Sequence, residues 1–308
     1  MSTQPSLCTE IFGCTLKNPL ILASGILGTT RDILKRVFSE GAGAATIKSI
    51  SVNPRKGHNN PTVLNFGPGC INAVGYSNPG VKKAVEEYSD LSGVGGPVIG
   101  SLIGSNIEEF AQMAAAFDPL GFAALEIPVS CPHTPGFGKM ARQDDPDTIR
   151  EIVKAVCAHT SKPVFIKLPA AANNMVELAL AAKEAGAYGL TAVNTVGPGM
   201  LINIETGRPY LGFGIGGISG PALKPLAIAA TYQLSKEVGL PIIGTGGVST
   251  GADAIEMIMA GATAVGVGTA VLSGGPSAFA QIAGEMTQIL AEKGVSSLKD
   301  VRGLAHGE

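Results

Sequence analysis

The chain has 308 residues, 45% of them hydrophobic, enough core for one large barrel or two ordinary domains. A formal net charge of -2 carries no nucleic-acid or acidic-lipid footprint. The five cysteines are scattered and form no C-x-x-C, which excludes a zinc or iron–sulfur site read from spacing and fits a reducing compartment.

Eight short apolar runs recur along the chain, at 19–24, 44–48, 97–102, 122–127, 163–168, 189–194, 241–244 and 264–268. Each is nearly continuous rather than alternating, the pattern of parallel strands buried on both faces. Amphipathic segments lie between them. The segment 144–160 has an acidic start, a proline in its first turn and apolar residues at helical spacing. The segments 176–185 and 251–260 each end at a glycine, Gly186 and Gly261, as a helix C-cap requires. Eight strand–helix units predict a single-domain α/β fold over residues 1–308, a (β/α)8 TIM barrel, with a doubly wound sheet as the alternative. The stretches 53–79 and 200–220 are long for βα loops and are expected at the C-terminal face, where barrel sites are built. No basic region followed by an apolar run opens the sequence, and every apolar stretch breaks before about 18 residues. The expected location is the cytoplasm.

The last two runs carry glycine clusters, Ile243-Gly244-Thr245-Gly246-Gly247-Val248 and Val265-Gly266-Val267-Gly268-Thr269-Ala270. Glycine there lets backbone N–H groups approach an anion, and barrels often hold a phosphate between the loops after strands seven and eight. The alternative is that these glycines only serve tight turns. Lys48 and Lys167 close apolar strand runs, where a lysine is expensive unless it is paired, snorkelling or facing an anionic ligand. Asn72, Asn194 and Thr195 sit beside strand ends and offer amide and hydroxyl groups to a planar polar ligand, or serve as turn residues. His133 is a loop acid/base candidate or an exposed side chain.

Cys131 ends the run Ala124-Leu125-Glu126-Ile127-Pro128-Val129-Ser130-Cys131 and opens a Pro/Gly-rich stretch. A free cysteine is commonly a small buried apolar residue, a description that suits Cys157, Cys8 and Cys14. At the head of a loop beside a strand end, Cys131 reads instead as a functional thiol.

Together these residues resemble the class 1 dihydroorotate dehydrogenases, flavoenzymes of pyrimidine synthesis. The matching stretches span nearly the whole chain. They include Asn18-Pro19-Leu20-Ile21-Leu22-Ala23-Ser24-Gly25, the run from Ile71 to Gly80, Ser130-Cys131-Pro132, Ile166-Lys167-Leu168, Val193-Asn194-Thr195, the run from Gly216 to Pro225, and both glycine clusters. The Asn-Ala-Val-Gly…Asn-Pro-Gly and Ser-Gly-Pro-Ala-Leu-Lys-Pro runs resemble most closely the NAD-linked class 1B catalytic subunit. The resemblance implies an FMN cofactor held by Ala23, Ser24, Thr46, Lys48, Lys167, Gly220, Gly246, Gly247, Gly268 and Thr269. It implies that Cys131 is the base that removes a proton beside a substrate carbonyl while hydride passes from the neighbouring carbon to the flavin. Lys167 would balance negative charge on the ring and Lys48 would lie near flavin and substrate, with Asn72, His133, Asn194 and Thr195 binding substrate. It also implies a homodimer paired with a separate subunit carrying FAD and a [2Fe–2S] cluster, and no membrane anchor.

In the family the cysteine loop usually reads Asn-x-Ser-Cys-Pro-Asn, and both asparagines bind orotate. Pro128 and His133 stand in those places here. The expectation is a reshaped substrate face beside a retained FMN face. Another dihydropyrimidine of the dihydrouracil type, or an enone, is the alternative substrate. A non-redox barrel binding a sugar phosphate would explain the glycines but leave Cys131, Lys48 and Lys167 unexplained, and a non-catalytic flavin-binding subunit would leave the thiol without work.

Overall fold

The computed structural model describes residues 4–129, 145–170 and 174–307. Cys131 and His133 lie outside the described residues.

The chain opens with an antiparallel hairpin of β1 (Thr9–Ile11) and β2 (Cys14–Leu16). The first barrel strand β3 (Leu20–Leu22) is followed by α1 (Arg31–Ser39) and β4 (Ala44–Thr46). The 53–79 excursion carries β5 (Val63–Asn65) and β6 (Cys70–Asn72), and the chain returns through α2 (Val81–Tyr88). Regular units follow: β7 (Val98–Ser101), α3 (Ile107–Phe117), β8 (Ala124–Pro128), α4 (Pro146–Cys157), β9 (Val164–Lys167), α5 (Met175–Glu184) and β10 (Gly189–Ala192). A second excursion holds β11 (Val196–Gly199), β12 (Ile202–Asn203), β13 (Arg208–Pro209) and β14 (Gly216–Ser219). The chain closes with α6 (Lys224–Glu237), β15 (Ile242–Thr245), α7 (Gly251–Met259), β16 (Ala264–Val267), α8 (Ala270–Gly274) and α9 (Ala278–Glu292).

Strands β3, β4, β7, β8, β9, β10, β15 and β16 close a parallel barrel in that order, β16 pairing back onto β3. Every one of the eight apolar runs therefore supplies one barrel strand, and the (β/α)8 expectation holds. Several helix ends are satisfied by caps. Thr30, Asn106 and Asp145 each accept a backbone N–H of the first turn of α1, α3 and α4. Gly186 and Gly261, at φ 104° and 109°, close α5 and α7. In each, paired bonds run back to the last turn: Gly186 N–H to Lys183 O and Ala187 N–H to Ala182 O, Gly261 N–H to Ile258 O and Ala262 N–H to Met257 O.

Alternation along each strand divides the side chains between two environments. One set packs outward under the helices, among them Leu22, Ala45, Leu125, Ile166 and Val265. The other set faces the barrel axis. At its N-terminal end that inner face is apolar: Ile21, Ala44, Ile99, Ala124, Phe165, Ile243 and Ala264 cluster with Ile11, Phe12 and Leu16 of the opening hairpin. The hairpin thus plugs the barrel floor, with Phe12 edge-on to Phe165 at 6.2 Å. Towards the C-terminal end the inner face turns polar. Thr46, Ser101, Glu126, Lys167, Thr191 and Thr245 are all buried there. The floor is thus built for packing and the mouth for chemistry.

The two long excursions meet each other. β11, β14, β6 and β5 form a four-stranded sheet, with Gly217 opposite Asn72, Ile218 opposite Ile71 and Ser219 opposite Cys70. Among the described residues, no helix is long and apolar enough to cross a membrane.

Candidate active site

A cavity of about 350 Å³ opens at the C-terminal mouth of the barrel. That volume lies within the roughly 300–1,000 Å³ of ligand clefts. Its walls come from the ends of β3, β4, β8, β9, β10, β15 and β16 and from the excursion sheet. Of the residues expected to hold a cofactor, Ala23, Ser24, Lys48, Lys167, Gly220, Gly246, Gly247, Gly268 and Thr269 line it, as do Asn72, Asn194 and Thr195 of the expected substrate face. Thr46 is outside the wall. It faces the axis opposite Ile99 and is 2% exposed, so it packs one layer below the cavity floor.

The glycines after β15 shape one end of the cavity. Gly246 and Gly247 hold φ of 138° and 76°. A Cβ on Gly247 would lie 2.6 Å from Lys224 Cβ and 2.7 Å from Lys224 N, and one on Gly246 would lie 2.7 Å from Ala227 Cβ. Only a bare backbone can run this close to the start of α6. Lys224 is not among the residues that line the cavity. Its ammonium is held by Asp253 at 2.8 Å and Glu256 at 2.7 Å, which raise its pKa and tie α6 to α7. Opposite, the Thr269 hydroxyl donates to Ser219 Oγ at 2.9 Å, joining the turn after β16 to the excursion sheet.

The side chains of Asn72 and Asn194 are held by backbone groups. Asn72 Nδ2 donates to Gly217 O at 3.3 Å, across the β6–β14 pair. Asn194 Oδ1 accepts the Thr195 N–H at 2.8 Å, and the Asn194 N–H is anchored to Leu168 O at 2.8 Å. Pro128 stands in the wall at the end of β8, opposite Lys167, and brings no side-chain donor. Cys70 also lines the cavity, and burial pushes its thiol pKa up.

At the polar layer below, four residues form one network. Ser24 Oγ donates to Glu126 Oε1 at 2.7 Å and accepts from Lys167 Nζ at 3.1 Å. Thr191 Oγ1 donates to Glu126 Oε2 at 2.9 Å, and the Lys167 ammonium lies 3.8 Å from Glu126 Oε1. Sequence reasoning treated Glu126 as a strand residue only. The available signal was a carboxylate at the centre of the apolar run Ala124–Pro128, on the same strand face as Pro128.

A closed parallel barrel with a glycine-bounded cavity and two lysines in its wall defines a (β/α)8 protein with its site among the βα loops. Within that class the chain belongs to the dihydroorotate dehydrogenase family, which matches it over residues 6–290. It is 45% identical over 300 residues to the protein named dihydroorotate dehydrogenase B (NAD(+)), catalytic subunit, of Pyrococcus furiosus, covering 97% of this chain and 99% of that protein. The protein of the same name from Methanothermobacter thermautotrophicus is 42% identical over 299 residues, with 97% and 98% covered. The solved structure of DHODH from Eimeria tenella in complex with ferulenol superposes with a TM-score of 0.83 at 23% identity, over 99% of this chain and 89% of that one, a likeness of fold.

Proposed function

We propose that this chain is the catalytic subunit of an FMN-dependent, NAD-linked dihydroorotate dehydrogenase, oxidising dihydroorotate to orotate in pyrimidine biosynthesis. The carrying observation is one cavity lined by the Gly246–Gly247 turn, Lys48 and Lys167, in a chain that matches NAD-linked relatives over nearly their full length.

The residues present fit FMN. The Gly246–Gly247 turn leaves bare backbone at one end of the cavity, where a side chain would clash with α6, and this suits a phosphate tail. The Lys167 and Lys48 ammonium groups in the wall suit a ring that gains negative charge. FMN supplies the hydride acceptor when bound. The protein supplies the rest. Ala23, Ser24, Gly220, Gly268 and Thr269 position the cofactor, and Asn72, Asn194 and Thr195 orient the planar substrate. Cys131 takes the proton from the carbon beside the substrate carbonyl, and His133 binds the substrate. The whole chain, 1–308, serves as one FMN-binding unit. It works as a homodimer with a separate FAD/[2Fe–2S] subunit that passes electrons to NAD+, in the cytoplasm.

Pro128 and His133, standing where the family has substrate-binding asparagines, give the reason to weigh a second substrate, and Pro128 brings no side-chain donor to the wall it lines. The test is anaerobic reduction of the FMN-loaded protein, followed at about 450 nm, with dihydroorotate and dihydrouracil in parallel. Bleaching by dihydroorotate, abolished in Cys131→Ala, is the expected result. Bleaching by dihydrouracil alone would transfer the assignment to the other dihydropyrimidine, and a protein that takes up no FMN would end the flavoenzyme reading.

A further inference from the structure

We propose that Glu126, which does not line the cavity, is a positioning residue that holds Lys167 in place and offsets part of the positive charge Lys167 presents to a bound flavin. The inference rests on the FMN reading above.

Glu126 is 2% exposed and Lys167 5%, so each charge sits away from water and neither is cheap to leave uncompensated. The protein compensates them with each other. The direct ion pair is long, at 3.8 Å, and the shorter route runs through Ser24. Lys167 Nζ donates to Ser24 Oγ at 3.1 Å, and Ser24 in turn donates to Glu126 Oε1 at 2.7 Å. That chain fixes the direction of the Ser24 hydroxyl. The second carboxylate oxygen is taken by Thr191 at 2.9 Å, so Glu126 is locked at both oxygens. Strand pairing sets the same geometry from the backbone, because β9 lies between β8 and β10 and Lys167 faces Thr191 directly across the ladder.

The ordering matters for chemistry. Ser24 and Lys167 line the cavity, and Glu126 and Thr191 do not. A ligand therefore meets a cation backed by an anion, a dipole rather than a full charge. Such a dipole binds an anionic ring less tightly than a lone ammonium would, and a buried carboxylate is screened little by solvent. Lys167 favours the two-electron-reduced ring and Glu126 restrains that preference. The pair would keep the cofactor's potential low enough for electrons to leave again.

The test is the midpoint potential of the FMN-loaded protein by anaerobic spectroelectrochemistry, with FMN affinity measured alongside. Glu126→Gln keeps the shape and removes the charge. It is expected to tighten binding of reduced over oxidised FMN about tenfold, an upward shift of about 30 mV for a two-electron couple. Glu126→Asp, which keeps the charge, is expected to stay near wild type. Should Glu126→Gln not fold, the uncharged pair Glu126→Gln/Lys167→Met is compared with Lys167→Met alone, and the double variant is expected to lie higher by a similar factor. A potential unchanged or lowered on removing the carboxylate overturns the role of Glu126 and leaves the flavin reading standing. Wild-type protein that binds no FMN overturns both.

Discussion

Replacing Gly247 with alanine separates two things the sequence combines in one residue, a left-handed backbone and a close approach. Gly247 has φ 76°, and its new Cβ would lie 2.6, 2.7 and 2.8 Å from Lys224 Cβ, N and Cα. Two of those three atoms are backbone at the start of α6, and the Lys224 ammonium is held by Asp253 and Glu256, so the obstacle has little freedom to move. Gly67 is the matched control. Its φ is 84°, and an added Cβ would meet nothing within 4 Å. Gly67→Ala should lose about 1 kcal/mol, the left-handed penalty less the gain from a stiffer unfolded chain. Gly247→Ala adds overpacking and should lose about 2–4 kcal/mol. Urea unfolding of the two variants side by side measures the difference, and FMN titration of the apoproteins measures the ligand effect. The expected outcome is a larger stability loss and weakened FMN binding for Gly247→Ala alone. Equal losses would mean that the α6 start yields freely. Wild-type FMN affinity in Gly247→Ala would remove the cradle from the FMN site.

Phe12 is 3% exposed in the barrel plug against Phe165, so Phe12→Ala should destabilise by about 3–5 kcal/mol in thermal or urea melts while leaving the distant cavity residues in place. Burial works against the charge of Asp253, but hydrogen bonds from Lys224, Ser249 and Thr250 outweigh it and its folded-state pKa is lowered. Its contribution is therefore complete above the ordinary Asp range near about 4 and is lost as pH falls through the lowered value. Asp253→Asn should be less stable than wild type at neutral pH and should lose less on acidification, read as a flatter acid limb in a melting-temperature series. Thr46→Val, below the cavity floor, should leave FMN affinity unchanged in the same titration that reports on Gly247→Ala.

The barrel was legible because a parallel strand buried on both faces announces itself as a continuous apolar run, and all eight runs became strands. The caps at Gly186 and Gly261 were legible for a similar reason, since one left-handed position ends a helix locally. The floor plug was not. The hairpin over Thr9–Leu16 is three residues a side, and only the empty axis of a closed barrel explains why Phe12 is buried. The pairing of the two excursions was likewise hidden, because the β6–β14 contact joins Asn72 to Gly217 across a long span of chain. The same limit explains Glu126. On its own strand it looks like a misplaced charge, and its meaning lies in Ser24, Lys167 and Thr191, three residues on three other barrel segments. Residues that line the cavity could be picked out by type at strand ends. A residue that sets the charge behind them can be recognised only when the strands are brought side by side, which is why the carboxylate under the lysine emerged from the fold and not from the sequence.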